Sequence, residues 1–182
     1  MRGIRKEKDG FSLIELVIVM AIVAILTGAV ALSIGLLRSA DTKGTADRIN
    51  SAFSELKSKN MSQTETTYLN LYRHGDVFYM KYSKTNPMSS VDTTDLGKKI
   101  GTSVSKVSIA GTELAEDVVY SFAIKKSDGS FGDVNGNVYY VSTNSGTPIA
   151  LSSPTKILVE PTKKGSSHTI VMVANTGRHY VE

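Results

Sequence analysis

The 182-residue chain has no cysteine, no tryptophan and only four prolines, and it has one long apolar run but no second. The absence of cysteine removes disulfides, thiolate zinc sites and cysteine nucleophiles together, and it agrees with an exported domain that holds without covalent staples. The lack of a second apolar run excludes a multispan helical membrane protein. Charge of one sign is scarce too: 21 Lys and Arg against 17 Asp and Glu leave a formal net charge of +4. Half of that excess lies in the first ten residues, where Arg2, Arg5, Lys6 and Lys8 face only Glu7 and Asp9. So balanced a remainder gives no argument for nucleic acid. Strings such as H-E-x-x-H, Walker A and G-x-S-x-G are missing, and His74, His168 and His179 are scattered. No enzyme and no cofactor is expected.

What is present is equally uneven. Phe11 to Leu37 reads FSLIELVIVMAIVAILTGAVALSIGLL, with Glu15 as its single charge, and everything after it is polar and rich in Ser, Thr and Gly. At about 1.5 Å per residue such a helix reaches roughly 40 Å, enough to cross a hydrocarbon core of about 30 Å. The basic head predicts a cytoplasmic N-terminus, with the remainder outside. The run can be a cleaved secretory signal, a permanent single-pass anchor, or something more specialised. Ala29-Val30-Ala31 supplies an A-x-A site for the first reading. Glu15 argues against it: an h-region gains nothing from an acid, and a carboxylate at mid-membrane costs about 2.5–3.5 kcal/mol on insertion scales.

Gly10-Phe11-Ser12-Leu13-Ile14-Glu15-Leu16 resembles the processing signature of type IV pilins and the related pseudopilins, a Gly followed by F-T-L-I/V-E-L. The resemblance implies cleavage between Gly10 and Phe11 by a membrane-embedded prepilin peptidase and N-methylation of Phe11, and it makes Glu15 the acid used in filament assembly. It also implies other pilin or pseudopilin subunits as partners, with an assembly platform and an ATPase acting indirectly. The expected location is the cytoplasmic membrane, single-pass with the globular domain outside, and a surface pilus or pseudopilus after assembly. Two features depart from many members: Asp9 stands where Lys or Arg is common, and the apolar helix carries no Pro, leaving Gly28 and Gly35 as its weak points. The residues also suggest a mechanism on their own terms. Cleavage would turn the Phe11 amide nitrogen into an α-ammonium one helical turn from Glu15, so processing creates the cation that can neutralise the acid, within a chain or across to a neighbour.

Beyond the apolar run the helix is expected to continue to residue 62, since Ala46, Ile49, Phe53 and Leu56 recur at 3-4-3 spacing. That stripe is expected to pack on the chain's own β domain. After about Ser62 the period changes to two. Candidate strands are Tyr68 to Tyr72 and Val77 to Tyr82 around a turn at His74-Gly75-Asp76, then Val104 to Ile109, Val118 to Ile124 and Val138 to Ser142. Ile157 to Glu160, Thr169 to Ala174 and Arg178 to Val181 complete them, with the prolines outside strand centres. The expected fold is α+β, a long helix packed on a mostly antiparallel sheet domain. The expected organisation is a leader over 1–10, a helix over 11–62 (11–37 transmembrane, 38–62 amphipathic) and a β-rich domain over 63–182. The tail I-V-M-V-A-N-T-G-R-H-Y-V loosely resembles the closing hairpin of H-type minor pseudopilins.

Three further constellations bear on function. Asp128, Asp133, Asn135 and Asn137 set oxygen donors at intervals that suit calcium, but Val138 stands where an EF-hand needs Gly, and Asn144 where it needs an acid. A Gly/Asn-rich surface loop is the reading favoured there, and no metal is expected. Lys98-Lys99, Lys125-Lys126 and Lys163-Lys164 could line up with Arg178 along DNA, a use the resemblance to competence pseudopilins would give them. Interspersed acids favour a solvated mixed surface instead. Of Tyr139 and Tyr140, one must face outward if they lie on a strand.

Overall fold

The computed structural model describes residues 12–133, 137–142, 149–151 and 156–182. The first element is a 50-residue helix, α1, from Leu13 to Ser62. It starts where Ser12 can cap it, since the Ser12 hydroxyl accepts the Glu15 amide proton at 3.2 Å and the Ser12 carbonyl accepts that of Leu16. No proline interrupts it. It ends where the sequence turns to Ser, Gln and Thr, and the Ser62 hydroxyl donates back to the Lys59 carbonyl. The chain divides into two compact units, residues 1–36 and 37–182.

Within the second unit, α1 carries the expected apolar stripe. Ala46, Ile49, Phe53 and Leu56 are fully buried, and so are Thr42 and Thr45, which the hydrophobic pattern did not flag. The two threonines lie inward because carbonyls await their hydroxyls: Thr45 donates to Ile100 and Thr42 to Ser166.

The strands form two antiparallel sheets. The first has six: β1 (Thr67–His74), β2 (Val77–Lys84), β3 (Lys98–Thr102), β6 (Val119–Ala123), β7 (Tyr139–Val141) and β8 (Ile149–Leu151), in the order β3-β2-β1-β6-β7-β8. The second has five, β4 (Ser105–Ile109), β5 (Thr112–Glu113), β9 (Lys156–Pro161), β10 (His168–Val173) and β11 (Arg178–Val181), ordered β11-β10-β9-β4-β5. The β1–β2 hairpin closes on the pair His74 and Val77, so Gly75-Asp76 is a two-residue turn, and Gly75 supplies its positive φ of 58°. Each strand expected from the alternation is present within a residue or two of its expected ends. The sequence pattern did not reveal β3, β5 or β8. β3 reads Lys-Lys-Ile-Gly-Thr with one apolar side chain, β5 has two residues and β8 three.

The core gathers both sheets around α1. Phe53 is its centre, meeting Phe122 of β6 edge-on at 5.2 Å and Phe131 at 5.5 Å. Tyr139 is buried, whereas Tyr140 is half-buried, packed on Tyr68 and donating its hydroxyl to Asp133.

Candidate functional site

Gly10 and Phe11, the expected processing residues, lie outside the described residues, as does Asn135. The first described residue, Ser12, is the second after the expected cut, and it opens the helix. Ser12 is the N-cap and Glu15 occupies the third helical position, the S-x-x-E spacing of a capping box. Glu15 is exposed in the first turn, where the helix dipole favours a negative charge. Its carboxylate therefore faces outward from the chain that carries it.

The next turns are apolar all round. Leu13, Ile14, Met20 and Ile25 are each about two-thirds or more exposed, and the helix is long and apolar enough to cross a membrane. Such a surface requires lipid or other helices around it. The one hydroxyl of its middle, Thr27, is satisfied within the helix by the Val23 carbonyl at 2.7 Å. Ala29 to Ala31, the A-x-A triplet, lies inside the unbroken helix, and so do Gly28 and Gly35.

In the head, the candidate calcium residues are engaged locally. Asp128 accepts from the Ser130 amide and hydroxyl, which holds its carboxyl below the usual range. Asp133 is buried and accepts from the Asn137 amide and the Tyr140 hydroxyl. Burial first, and then the bond to Asp133, push the Tyr140 phenol up to about 12. Among the described residues no group of three or more His, Asp or Glu side chains is placed to hold a metal ion.

The basic pairs do not converge. Lys126 donates to the Thr64 carbonyl beyond the far end of α1, whereas the turn carrying Lys163 and Lys164 is bonded through Ser166 to Ser39 and Thr42. Ser39 and Ser62 are separated by roughly 35 Å of helix. Lys98 lines a shallow groove between α1 and β2 in which Asp47 and Glu55 accompany it.

The histidines are equally dispersed. His74 meets Asp117 at 2.7 Å on the surface, and His179 meets the Ser54 hydroxyl at 2.9 Å while its ring packs against Phe53 and Phe131. The second ring nitrogen of His179 faces the Gly177 carbonyl, not a carboxylate. That arrangement braces β11 against α1 without the charged third member of a hydrolytic triad.

Residues 5–31 match the family model described as the prokaryotic N-terminal methylation motif. No curated protein and no solved structure matches the chain. The matched segment supports a prepilin signal of the type IV pilin and pseudopilin kind, and it includes the first part of the apolar helix, residues 13–31. Signal, helix and antiparallel β domain together define a pilin-like α+β protein. The motif points to a structural role, and with the apolar helix it fits a membrane-anchored chain.

Proposed function

We propose that the chain is a structural subunit of a type IV pilus-like or type II secretion-like filament. It is made as a membrane-inserted precursor with residues 1–10 as leader, cleaved between Gly10 and Phe11 by a prepilin peptidase and N-methylated at Phe11. It then polymerises with like subunits through its apolar helix. The observation that carries this reading is the methylation motif over residues 5–31, continuous with a helix whose apolar side chains are exposed over Leu13 to Met20.

Chemistry joins the two halves of the reading. An exposed carboxylate one turn into an apolar helix opposes close packing of several such helices in a low-dielectric bundle. The α-ammonium released at Phe11 by cleavage supplies the opposite charge at the same depth, so only processed subunits can pack. The closing hairpin β10–β11, with its Thr-Gly-Arg turn, tilts the reading towards a minor subunit. The head then lies outside the cytoplasmic membrane before assembly and on the filament afterwards.

Co-expression with an active or an inactivated prepilin peptidase tests the reading. A shortening that requires the active peptidase and leaves Phe11 first supports it. An unchanged chain, or one shortened to Leu32, overturns it.

A further inference from the structure

We propose that Met61 is a reversible oxidation site, and that a hydroperoxide acting on its sulfur loosens the closing hairpin β10–β11 by drawing Lys57 away from the turn it holds. Of the methionines in residues 37–182, Met80 and Met172 are buried in the core and Met88 is half-buried. Met61, in the last turn of α1, is 58% exposed. Thioether oxidation follows exposure, so an oxidant in solution reaches Met61 before the other three.

The surroundings of Met61 turn that modification into a structural signal. Lys57 stands one turn earlier on the same face of α1. A Cβ built on Gly129 would lie 3.4 Å from Met61 Sδ and 3.4 Å from Lys57 Nζ, so thioether and ammonium meet at one contact point. The ammonium also reaches Gly177, where a Cβ would again lie 3.4 Å from Nζ, and it donates to the Thr176 carbonyl over a long 3.4 Å. That bond ties α1 to the 3-10 turn Ala174–Thr176, which joins β10 to β11. The same turn holds the segment after Gly129, since the Phe131 amide donates to the Ala174 carbonyl at 2.9 Å. The adjacent carboxylate, Asp128, is engaged by the Ser130 amide and hydroxyl.

A thioether is a weak acceptor and leaves the ammonium to Thr176. A sulfoxide is polar, and its oxygen at this contact point takes the ammonium instead. In the oxidation the sulfur lone pair attacks the distal oxygen of the hydroperoxide. An S–O bond forms as the O–O bond breaks, and the proton of the transferred oxygen passes to the leaving oxygen, which departs as water or an alcohol. Sulfur loses two electrons and the peroxide gains them; methionine sulfoxide reductases restore the thioether.

The full-length protein in detergent is titrated with hydrogen peroxide, and the oxygen gained at each methionine is read by peptide mass mapping. Met61 is expected to oxidise about tenfold faster than Met80 or Met172, and ahead of Met88. Hydrogen exchange is then measured at the Gly177 and Phe131 amides, which donate to the Val173 and Ala174 carbonyls. Both should exchange severalfold faster once Met61 is a sulfoxide and slow again after treatment with a sulfoxide reductase. Peroxide-treated Met61→Leu should stay slow, and Lys57→Leu should exchange fast with or without peroxide. Oxidation of Met80, Met88 or Met172 as fast as Met61 overturns the site. Unchanged exchange with Met61 fully oxidised overturns the switch, as does a peroxide-induced rise that persists in Met61→Leu or in Lys57→Leu.

Discussion

Asn60, in the last turns of α1, and Thr67, at the start of β1, bond to each other reciprocally: the Asn60 amide donates to the Thr67 carbonyl at 2.9 Å, and the Thr67 amide donates to Asn60 Oδ1 at 2.6 Å. The same Asn60 amide nitrogen also donates to the Ile124 carbonyl at 3.0 Å, and both residues are buried. One side chain thus ends the helix, starts the sheet and ties β6's exit to both. Asn60→Ala strands two carbonyls and an amide away from water. A loss of about 2–4 kcal/mol is expected. Chemical denaturation of the protein in detergent, followed by tyrosine fluorescence, reads it; a change below about 0.5 kcal/mol, the size of a neutral surface substitution, would contradict the assignment.

The head should weaken in mild acid through His179. Burial lowers its affinity for a proton, and the Lys57 charge acts in the same direction, while the Gly177 carbonyl and the Asn50 backbone oppose both. A depressed value in the folded state means that the unfolded chain binds the proton first. The contribution is therefore intact above the unfolded value near 6.5 and is lost as pH falls through the lower folded value. Between pH 7 and 5 the melting temperature of the wild type should fall further than that of His179→Gln. Parallel curves would contradict this.

Gly177→Ala and Gly28→Ala should part company. Gly177 has φ 60°, and a Cβ there would strike the Gly129 carbonyl. Its replacement should cost more than about 1 kcal/mol. A Cβ at Gly28 meets nothing within 4 Å, and a helix interior favours Ala. The head of Gly28→Ala should melt as the wild type does. Equal melting of the two variants would contradict the close approach between Gly129 and Gly177.

Glu15→Ala should separate processing from assembly. On the proposed reading the variant still presents Gly10 and Phe11 to a prepilin peptidase, so leader removal is expected to proceed. Without the carboxylate, the charge pairing with a neighbour's α-ammonium is gone, and the variant should remain in the membrane and enter few sheared filaments. Wild-type incorporation would remove Glu15 from the assembly step.

The sequence is most informative where one period persists. The apolar run, the 3-4-3 stripe of Ala46, Ile49, Phe53 and Leu56, and the alternation in β2 and β10 each place many side chains by one rule, and the helix and hairpins result from it. β3 escapes because a strand lying against the helix draws its order from the Thr45 and Arg48 bonds to the Ile100 carbonyl, which no local pattern records. β5 and β8 are too short to alternate. The division into two sheets depends on pairings such as β4 with β9, whose partners are some fifty residues apart. The candidate site is the opposite case. Its signal is a contiguous string, the methylation motif, so Gly10, Phe11 and Glu15 can be named as candidates from the sequence.

The most direct test is the intact mass and N-terminal sequence of the protein taken from the membranes of its own host. A chain that begins at Phe11 and is one methyl group heavier than its sequence is the expected result. A chain that begins at Met1, or at Leu32 after the Ala31 site, would contradict the filament-subunit reading.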